Sequence, residues 1–170
     1  MLGFPAVVAM GLGFLAGGAA AQDLAFSPEA TEACLMGAAD VPAKEACIGM
    51  AAGVCIDTPD GYTTVGMGFC LGYERDWWDA RLNAAYGKLM AQEKATMKDM
   101  ADFGAHVPDT VAALRDMQRA WIGWRDASCA YEASTWGGGT GGGPANAGCV
   151  MDLTGRQALA LEARLEDGNR

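Results

Sequence analysis

The stretch Gln118-Arg-Ala-Trp-Ile-Gly-Trp-Arg-Asp-Ala-Ser-Cys129 decides how the fold is interpreted. It is typical of the end of a long amphipathic helix. A set of mostly apolar side chains, upstream of it and within it, recurs at steps of three and four residues and therefore shares one face. The positions on this face are Val111, Leu114, Met117, Trp121, Trp124 and Ser128.

A partner for this helix lies earlier, in Glu74-Arg-Asp-Trp-Trp-Asp-Ala-Arg-Leu-Asn-Ala-Ala-Tyr-Gly-Lys-Leu89. Its apolar stripe also has helical spacing and comprises Trp78, Leu82, Ala85 and Leu89. An amphipathic helix must bury such a stripe against another element. The two stripes can be buried only against each other or against a third helix, and we expect this pair to form the core.

A second row on the later helix contains Gln118, Trp121 and Arg125. Arg125 should be partly buried beside Trp121, and a buried cation needs an acidic partner. The expected partner is Asp79, or Asp76 about one turn earlier. The bidentate fork of arginine suits such a fixed pair better than lysine would.

Residues 1–21 are predicted to be a secretory signal peptide. They contain no charged side chain, their apolar part is short, and small residues precede Gln22. The alternative is an uncleaved membrane anchor, but the apolar part falls short of the roughly 20 residues that a membrane span needs. The sequence therefore predicts a periplasmic or secreted protein.

The chain is acidic, with 21 Asp and Glu against 12 Lys and Arg and a formal charge of −9. Such a charge excludes nucleic-acid binding through a patch that neutralises phosphates. It would attract cationic partners, and salt would weaken that attraction. The alternative reason for the charge is solubility alone.

Six cysteines follow the predicted leader: Cys34, Cys47, Cys55, Cys70, Cys129 and Cys149. An even number of cysteines in a secreted chain predicts disulfides. Sequence does not choose among the possible pairings, but local order favours Cys34–Cys47, Cys55–Cys70 and Cys129–Cys149. No CxxC spacing occurs and His106 is the only histidine, so we expect neither a metal nor a cofactor.

Helix signals follow one another along the chain, and no alternating β pattern of useful length interrupts them. The sequence therefore predicts an all-α protein, an antiparallel helical hairpin or bundle of about five helices clipped by disulfides. The expected helices begin near Ser27, run from Pro42 to about Cys55 and from about Phe69 to Asp102, begin again at Asp109 or Thr110, and run from about Val150 to Glu166.

Two features are candidates for partner binding. The run Gly137–Gly143 lacks a following Lys-Ser/Thr and a preceding strand, so it favours a flexible recognition loop or a spacer over a phosphate cradle. Adjacent tryptophans lie 100° apart on a helix, so one of Trp77 and Trp78 must be partly exposed. The resulting partner-binding candidates are Trp77, Gly138, Gly139, Thr140 and Gly141.

Several carboxylates could form the acidic pair of a glycosidase, namely Glu74, Asp76, Asp79, Asp126 and Glu132. Each more simply pairs with a nearby arginine or lysine, or lies in water. The sequence singles out no acid with apolar surroundings. We therefore expect no catalytic residues and a protein that is not an enzyme.

Together these residues resemble a known family, the secreted bacterial LprI-type lysozyme inhibitors. The family is recognised by Asp-x-x-Leu-Asn-x-x-Tyr on one helix and Gln-x-x-Trp-x-x-x-Arg-Asp-x-x-Cys on the next. Here the two motifs are Asp79, Leu82, Asn83 and Tyr86, followed by Gln118, Trp121, Arg125, Asp126 and Cys129. Cys149, Thr154 and Arg156 fit the later cysteine and the Thr/Arg-bearing helix of the family.

The resemblance covers about Cys70 to Leu165, and it implies a helical, disulfide-bonded, extracytoplasmic protein without a cofactor. It divides the chain into a signal peptide (1–21), a disulfide-bearing helical extension (22–68) and an LprI-like helical domain (69–170). The motif residues look architectural, so they do not name an inhibitory surface.

The function implied by this resemblance is that of a binding protein, a possible inhibitor of lysozyme or a binder of another cationic protein. One alternative is an envelope structural or interaction module with a non-lysozyme partner. A hydrolase of cell-wall glycan is the less favoured alternative.

Overall fold

The computed structural model describes residues 24–103 and 108–168. This part of the chain contains six helices and no strand, so the all-α prediction is confirmed. The helices are α1 (Glu29–Gly37), α2 (Val41–Glu45), α3 (Met50–Ile56), α4 (Thr64–Asp102), α5 (Thr110–Ser134) and α6 (Gly142–Gly168). The expected signal peptide at 1–21 and His106 lie outside the described residues.

The segment expected to form one helix from Pro42 to Cys55 is divided between α2 and α3. Gly49, immediately before α3, has a φ of 94°. This left-handed conformation is readily adopted by glycine and interrupts a right-handed helix. The chain therefore enters α3 in a new direction.

The long helix α4 begins at Thr64, earlier than the expected Phe69. Its cap is Thr63, whose hydroxyl accepts a hydrogen bond from the N–H of Gly66 at 2.9 Å. Gly66 also allows the preceding turn to pack closely, because a Cβ at this position would lie 2.1 Å from the carbonyl oxygen of Asp60. Capping and close packing outweigh the low helix propensity of this glycine-containing segment.

The last helix, α6, begins at Gly142, about two turns before the expected Val150. Pro144 lies in its first turn, where a backbone N–H would have no intrahelical partner in any case. The end of the glycine run is therefore helical, and the connection from α5 is shorter than the composition indicates.

Helix α6 is the central helix of the fold. It packs most extensively against α4 and also against α5, whereas α4 and α5 contact each other at few positions. The predicted stripe of α4 is buried, as expected, and the core comprises Ala52, Trp78, Leu82, Ala85, Leu89, Met151, Ala158, Leu159 and Leu161. Of the two possibilities for the stripes, packing against a third helix is observed, because α4 and α5 both pack mainly against α6. The expectation that α4 and α5 form the core is therefore wrong, since α5 contributes no residue to the buried cluster.

Helix α5 lies at the edge of this arrangement. Leu114 and Trp121 pack against the core from outside. Met117 and Trp124, which belong to the same predicted face, are 42% and 56% exposed. The expectation that this whole face is buried is therefore wrong for these two residues, because α5 packs mainly against one neighbour and buries only a narrow stripe.

Close packing between α6 and the N-terminal helices depends on Gly155. This residue is buried, and a Cβ there would lie 2.8 Å from Cδ1 of Ile48. Ile48 in turn packs against the hydrophobic core. Only glycine lets the α2–α3 connection approach α6 this closely without a shift of the Ile48 side chain.

Three disulfides join neighbouring elements, and they are the pairs that local order favours. They are Cys34–Cys47, Cys55–Cys70 and Cys129–Cys149. The first joins α1 to the segment after α2, the second joins α3 to α4, and the third joins α5 to α6. Each closes a short loop and so reduces the conformational freedom of the unfolded chain.

A buried carboxylate fastens the N-terminal helices to α4. Glu74 is 0% exposed, and it accepts hydrogen bonds from the Thr31 hydroxyl at 2.9 Å and from Nε1 of Trp78 at 3.0 Å. It also accepts from the backbone N–H groups of Gly49 at 2.8 Å and Ala52 at 2.6 Å. These two N–H groups lie at the start of α3, where a helix has unpaired donors and a partial positive charge.

The expectation that Glu74 pairs with a nearby basic side chain or lies in water is wrong. The start of α3, rather than a basic side chain, provides the positive end that a buried carboxylate needs. The sequence did not single out this acid, although its carboxylate is fully buried beside the fully buried Trp78.

Candidate functional site

The motif on α4 divides between the core and the surface. Leu82 is 2% exposed and Tyr86 packs against the core from its edge. Asp79 accepts a hydrogen bond from Nδ2 of Asn83 at 2.8 Å on the outer side of the helix. Asn83 and Tyr86 also line a hollow of about 370 Å³ between α4 and α5, together with Gln118 of the second motif.

The motif on α5 attaches this helix to α6. Gln118 is 7% exposed, and its Oε1 accepts a hydrogen bond from Nε2 of Gln157 at 3.0 Å. Trp121 packs against the core, and the guanidinium of Arg125 lies 5.0 Å from the centre of the Trp121 ring. This distance is typical of a cation–π contact.

The partner of Arg125 differs from the one expected. Its guanidinium donates to Oδ1 of Asp126 through Nε at 2.9 Å and Nη2 at 2.8 Å, and Nη1 lies 3.4 Å from the buried hydroxyl of Thr154 on α6. The expected pairing with Asp79 or Asp76 is wrong. Because α5 packs on α6 rather than on α4, Arg125 faces Thr154 and takes its carboxylate from the next residue of its own helix.

The two rejected partners of Arg125 have other contacts. Asp79 bonds to Asn83, and Asp76 pairs with Arg75 at 2.7 Å. Arg156, at the later family position, pairs with Asp152 at 2.8 Å on its own helix. The hydrogen bond to Asp152 is the main cause of a raised pKa of Arg156.

Several family-motif residues thus make structural contacts. They hold α5 against α6 through an amide pair and a guanidinium, and the Cys129–Cys149 disulfide continues this line of attachment.

The connection between α5 and α6, residues 135–141, is an exposed loop. Its base is closed by Cys129–Cys149. Gly137 and Gly138 have φ values of 58° and 81°, a left-handed conformation that side chains disfavour. Residues Gly138 to Thr140 are exposed, as a recognition loop requires.

Aromatic side chains that were not among the predicted candidates surround this loop. Trp136 is 51% exposed and Tyr131, near the end of α5, is 72% exposed. A Cβ at Gly141 would lie 2.4 Å from the Trp136 ring, so the absence of a side chain there lets the indole lie over the loop backbone. A tryptophan directly before a glycine run is the sequence signal that could have identified this surface.

Glu132 adds a negative charge near this loop. Its side chain is exposed, and within the described residues its carboxylate has no hydrogen bond or ion pair. We define the loop surface as Tyr131, Glu132, Trp136 and residues 138–141. It combines two large aromatic side chains, a free carboxylate and accessible backbone on a base fixed by a disulfide.

The second partner-binding candidate, Trp77, lies at a different place. Its ring centre is 4.7 Å from that of Trp78, and the Arg81 guanidinium lies 5.0 Å from its ring centre. Arg81 in turn pairs with Glu162 at 2.9 Å, towards the far end of α6 from the loop. The structure therefore does not bring Trp77 together with the loop surface, and Trp77 is only partly accessible.

Metal-binding clusters and membrane-spanning helices are absent from the described part of the chain. No group of three or more His, Cys, Asp or Glu side chains there could hold a metal ion. Among the helices described, none is both long and apolar enough to cross a membrane.

Comparisons with known proteins give one family. A family model described as "Lysozyme inhibitor LprI" matches residues 55–161, more than half of the chain. "Uncharacterized protein R02472" of Rhizobium meliloti (strain 1021) is 34% identical over 88 residues, which are 52% of this chain and 63% of that protein. The chain thus spans less than two thirds of that relative.

A second relative is matched over more of its length. "Uncharacterized 17.7 kDa protein in puhA 5'region" of Rhodobacter capsulatus is 27% identical over 130 residues, 75% of this chain and 80% of that protein. No solved structure matches the chain. The two relatives carry no assigned activity in their descriptions.

Proposed function

Because the chain belongs to the lysozyme inhibitor LprI family, we propose that it is an extracytoplasmic protein that binds lysozyme and blocks its active-site cleft. The observation that carries this proposal is the family match over residues 55–161, which spans α4, α5 and most of α6. The loop surface supplies the contact region that such an inhibitor needs.

The proposed location is the periplasm or the extracellular medium. Three disulfides are typical of an oxidising compartment. The predicted signal peptide at 1–21 would deliver the chain there, with the extension (22–68) and the LprI-like domain (69–170) remaining after cleavage.

The negative net charge of the chain supports a cationic target. With a formal charge of −9, the chain would accelerate its encounter with a strongly cationic enzyme such as lysozyme, mainly through the association rate. This steering would weaken as salt screens the charges. Glu132 is the carboxylate of the loop surface that is free to meet a cationic side chain of the target.

The loop surface is the proposed inhibitory surface, and Trp136 is its proposed anchor. Aromatic residues that insert into a partner's recess carry a large share of binding energy in many interfaces. The glycine-rich backbone from Gly138 to Gly141 would enter the narrow cleft of the target together with the Trp136 indole, because it adds little side-chain bulk. Trp77 is the alternative anchor, on the side of α4.

The experiment is a lysozyme activity assay, followed as clearing of a bacterial suspension, at low and moderate salt. The protein is titrated against a fixed enzyme concentration, so that saturable inhibition is distinguished from a nonspecific loss of activity. We expect inhibition at micromolar protein, stronger at low salt. Absence of inhibition at both salt concentrations would remove the proposal.

A second candidate is an envelope interaction module with a partner other than lysozyme. The observation that favours it is an exposed apolar surface on the N-terminal part of α4, where Phe69 and Tyr73 are 51% and 40% exposed. Phe26 packs on Tyr73 with ring centres 5.6 Å apart. Capture of a non-lysozyme envelope protein that releases when Phe69 is replaced would favour this candidate.

The glycan hydrolase alternative is less favoured. Glu74 is fully buried and accepts four hydrogen bonds, so it has no open position for a substrate. Glu132 is accessible, but a glycosidase requires a second carboxylate across a sugar-binding cleft.

A further inference from the structure

A cleft of about 460 Å³ opens between α4, α5 and α6. It includes Thr110 at the start of α5 and Arg164 near the end of α6, so it lies at the end of the bundle away from the loop surface. Most of its wall is apolar and comprises Leu89, Ala113, Leu114, Met117, Ala160 and Leu161. Its volume lies within the range of roughly 300–1,000 Å³ that is usual for small-molecule sites.

Two opposite charges on different helices lie at this cleft. Glu93 comes from α4 and Arg164 from α6, and both also line the adjoining hollow. Neither side chain makes a hydrogen bond or ion pair within the described residues. The cleft therefore offers a carboxylate and a guanidinium that are separately available to a ligand.

From the apolar wall and the two charges, we propose that the cleft binds a single-chain amphiphile with a zwitterionic head. The apolar chain lies between the three helices, the anionic group of the head pairs with Arg164, and its cationic group pairs with Glu93. A purely anionic head would be repelled by Glu93 and by Asp167, which lines the adjoining hollow. A purely cationic head would leave Arg164 unpaired. This site is separate from the loop surface and does not depend on lysozyme inhibition.

The test uses octylphosphocholine as the probe, below its micelle concentration, with the oxidised, isotope-labelled protein. The amide signals of Ala113 and Ala160 should shift and saturate. Octyl glucoside and octyl sulfate have the same chain with an uncharged and an anionic head. We expect them to bind about tenfold more weakly, since the free energy of two partly exposed charge contacts is modest.

Variants at the two charged residues distinguish the contacts of the probe's head group from the contacts of its octyl chain. Arg164→Ala and Glu93→Ala should each bring octylphosphocholine close to the affinity of octyl glucoside, while octyl glucoside itself is unaffected. Arg119→Ala is the matched control, since Arg119 is an exposed arginine of α5 outside the cleft. It should leave all three affinities unchanged.

Filling the cleft tests the place of binding. Ala160→Trp, or Ala113→Trp if the first variant does not fold, should abolish the saturable shifts while circular dichroism stays helical. The proposal is overturned if the shifts do not saturate, if they lie outside the cleft, or if the three heads bind equally. Unchanged binding in a folded tryptophan variant would also overturn it.

Discussion

Oε2 of Glu74 accepts a hydrogen bond from the backbone N–H of Ala52 at 2.6 Å, and this contact joins the longest helix of the protein to the start of α3. The other oxygen of the same carboxylate bonds to Gly49 and to Thr31. The hydroxyl of Thr31 accepts from the N–H of Ala51. Glu74 and Thr31 thus cap α3 together from outside it.

We expect Glu74→Ala to destabilise the fold strongly. It would leave the donors of Gly49, Ala52 and Trp78 buried without a partner, at a cost of about 3–5 kcal/mol. Urea unfolding followed by circular dichroism measures this difference. Glu132→Ala, at an exposed carboxylate, is the control and should change stability by less than about 0.5 kcal/mol. Equal effects of the two variants would contradict the capping role.

Gly155 tests the close approach of the N-terminal segment to α6. Gly155→Ala would place a Cβ 2.8 Å from Ile48, and we expect a loss of about 1–3 kcal/mol of stability because the core must shift. Gly87→Ala is the control, since Gly87 is exposed on α4 and has open space around it. That variant should gain roughly 0.5–1 kcal/mol. If both substitutions change the stability in the same direction, the close packing at Gly155 is not as described.

The contacts of Arg156 should contribute equally to stability at acidic and mildly basic pH. Because the pKa of Arg156 is raised, these contacts are fully present below the ordinary pKa of an arginine and are lost only as pH rises through the still higher pKa in the folded protein. Arg156→Gln should therefore cost the same at pH values of about 6 and about 9. The side chain is 46% exposed, so we expect less than about 1 kcal/mol. Thermal unfolding at the two pH values checks this, and a cost that vanishes at the higher pH would contradict it.

The Cys129–Cys149 disulfide should matter more for the loop surface than for the helical fold. Replacing both cysteines by serine should lower stability by about 3 kcal/mol, since a loop of this size is released. The four remaining cysteines still form the two N-terminal disulfides, so the helical content should stay close to that of the parent. Inhibition of lysozyme should fall more than the helical content does. If inhibition is fully retained by the variant, a fixed loop base is not required.

The parts of the fold that could be predicted from the sequence are those encoded by local periodicity. Trp78 and Leu82 are spaced at one helical turn, and both are buried. The role of α6 as the central helix could not be predicted, because its first turns are rich in Gly and Ala. Small residues give little periodic signal, although they allow close packing. Gly155 is such a residue.

Side-chain partners depend on the whole packing and are therefore harder to predict than helices. Arg125 was expected to meet α4, but the choice among acidic partners depends on which helix lies opposite. Glu74 likewise could not be assigned, because its partners are backbone N–H groups of a helix whose start at Gly49 depends on a left-handed turn. The exposure of Trp136 could not be predicted from helical periodicity, because this residue lies just beyond the end of α5.

The most direct test of the central claim compares lysozyme inhibition by the parent protein, Trp136→Ala and Trp124→Ala at one salt concentration. Trp136 and Trp124 are similarly exposed, at 51% and 56%, but only Trp136 belongs to the loop surface. We expect Trp136→Ala to raise the inhibition constant at least about tenfold, as loss of an interface anchor does, and Trp124→Ala to leave it unchanged. Three results would contradict the assignment of the loop surface: unchanged inhibition by Trp136→Ala, a loss of inhibition in Trp124→Ala as large as that in Trp136→Ala, or a parent protein that does not inhibit at all.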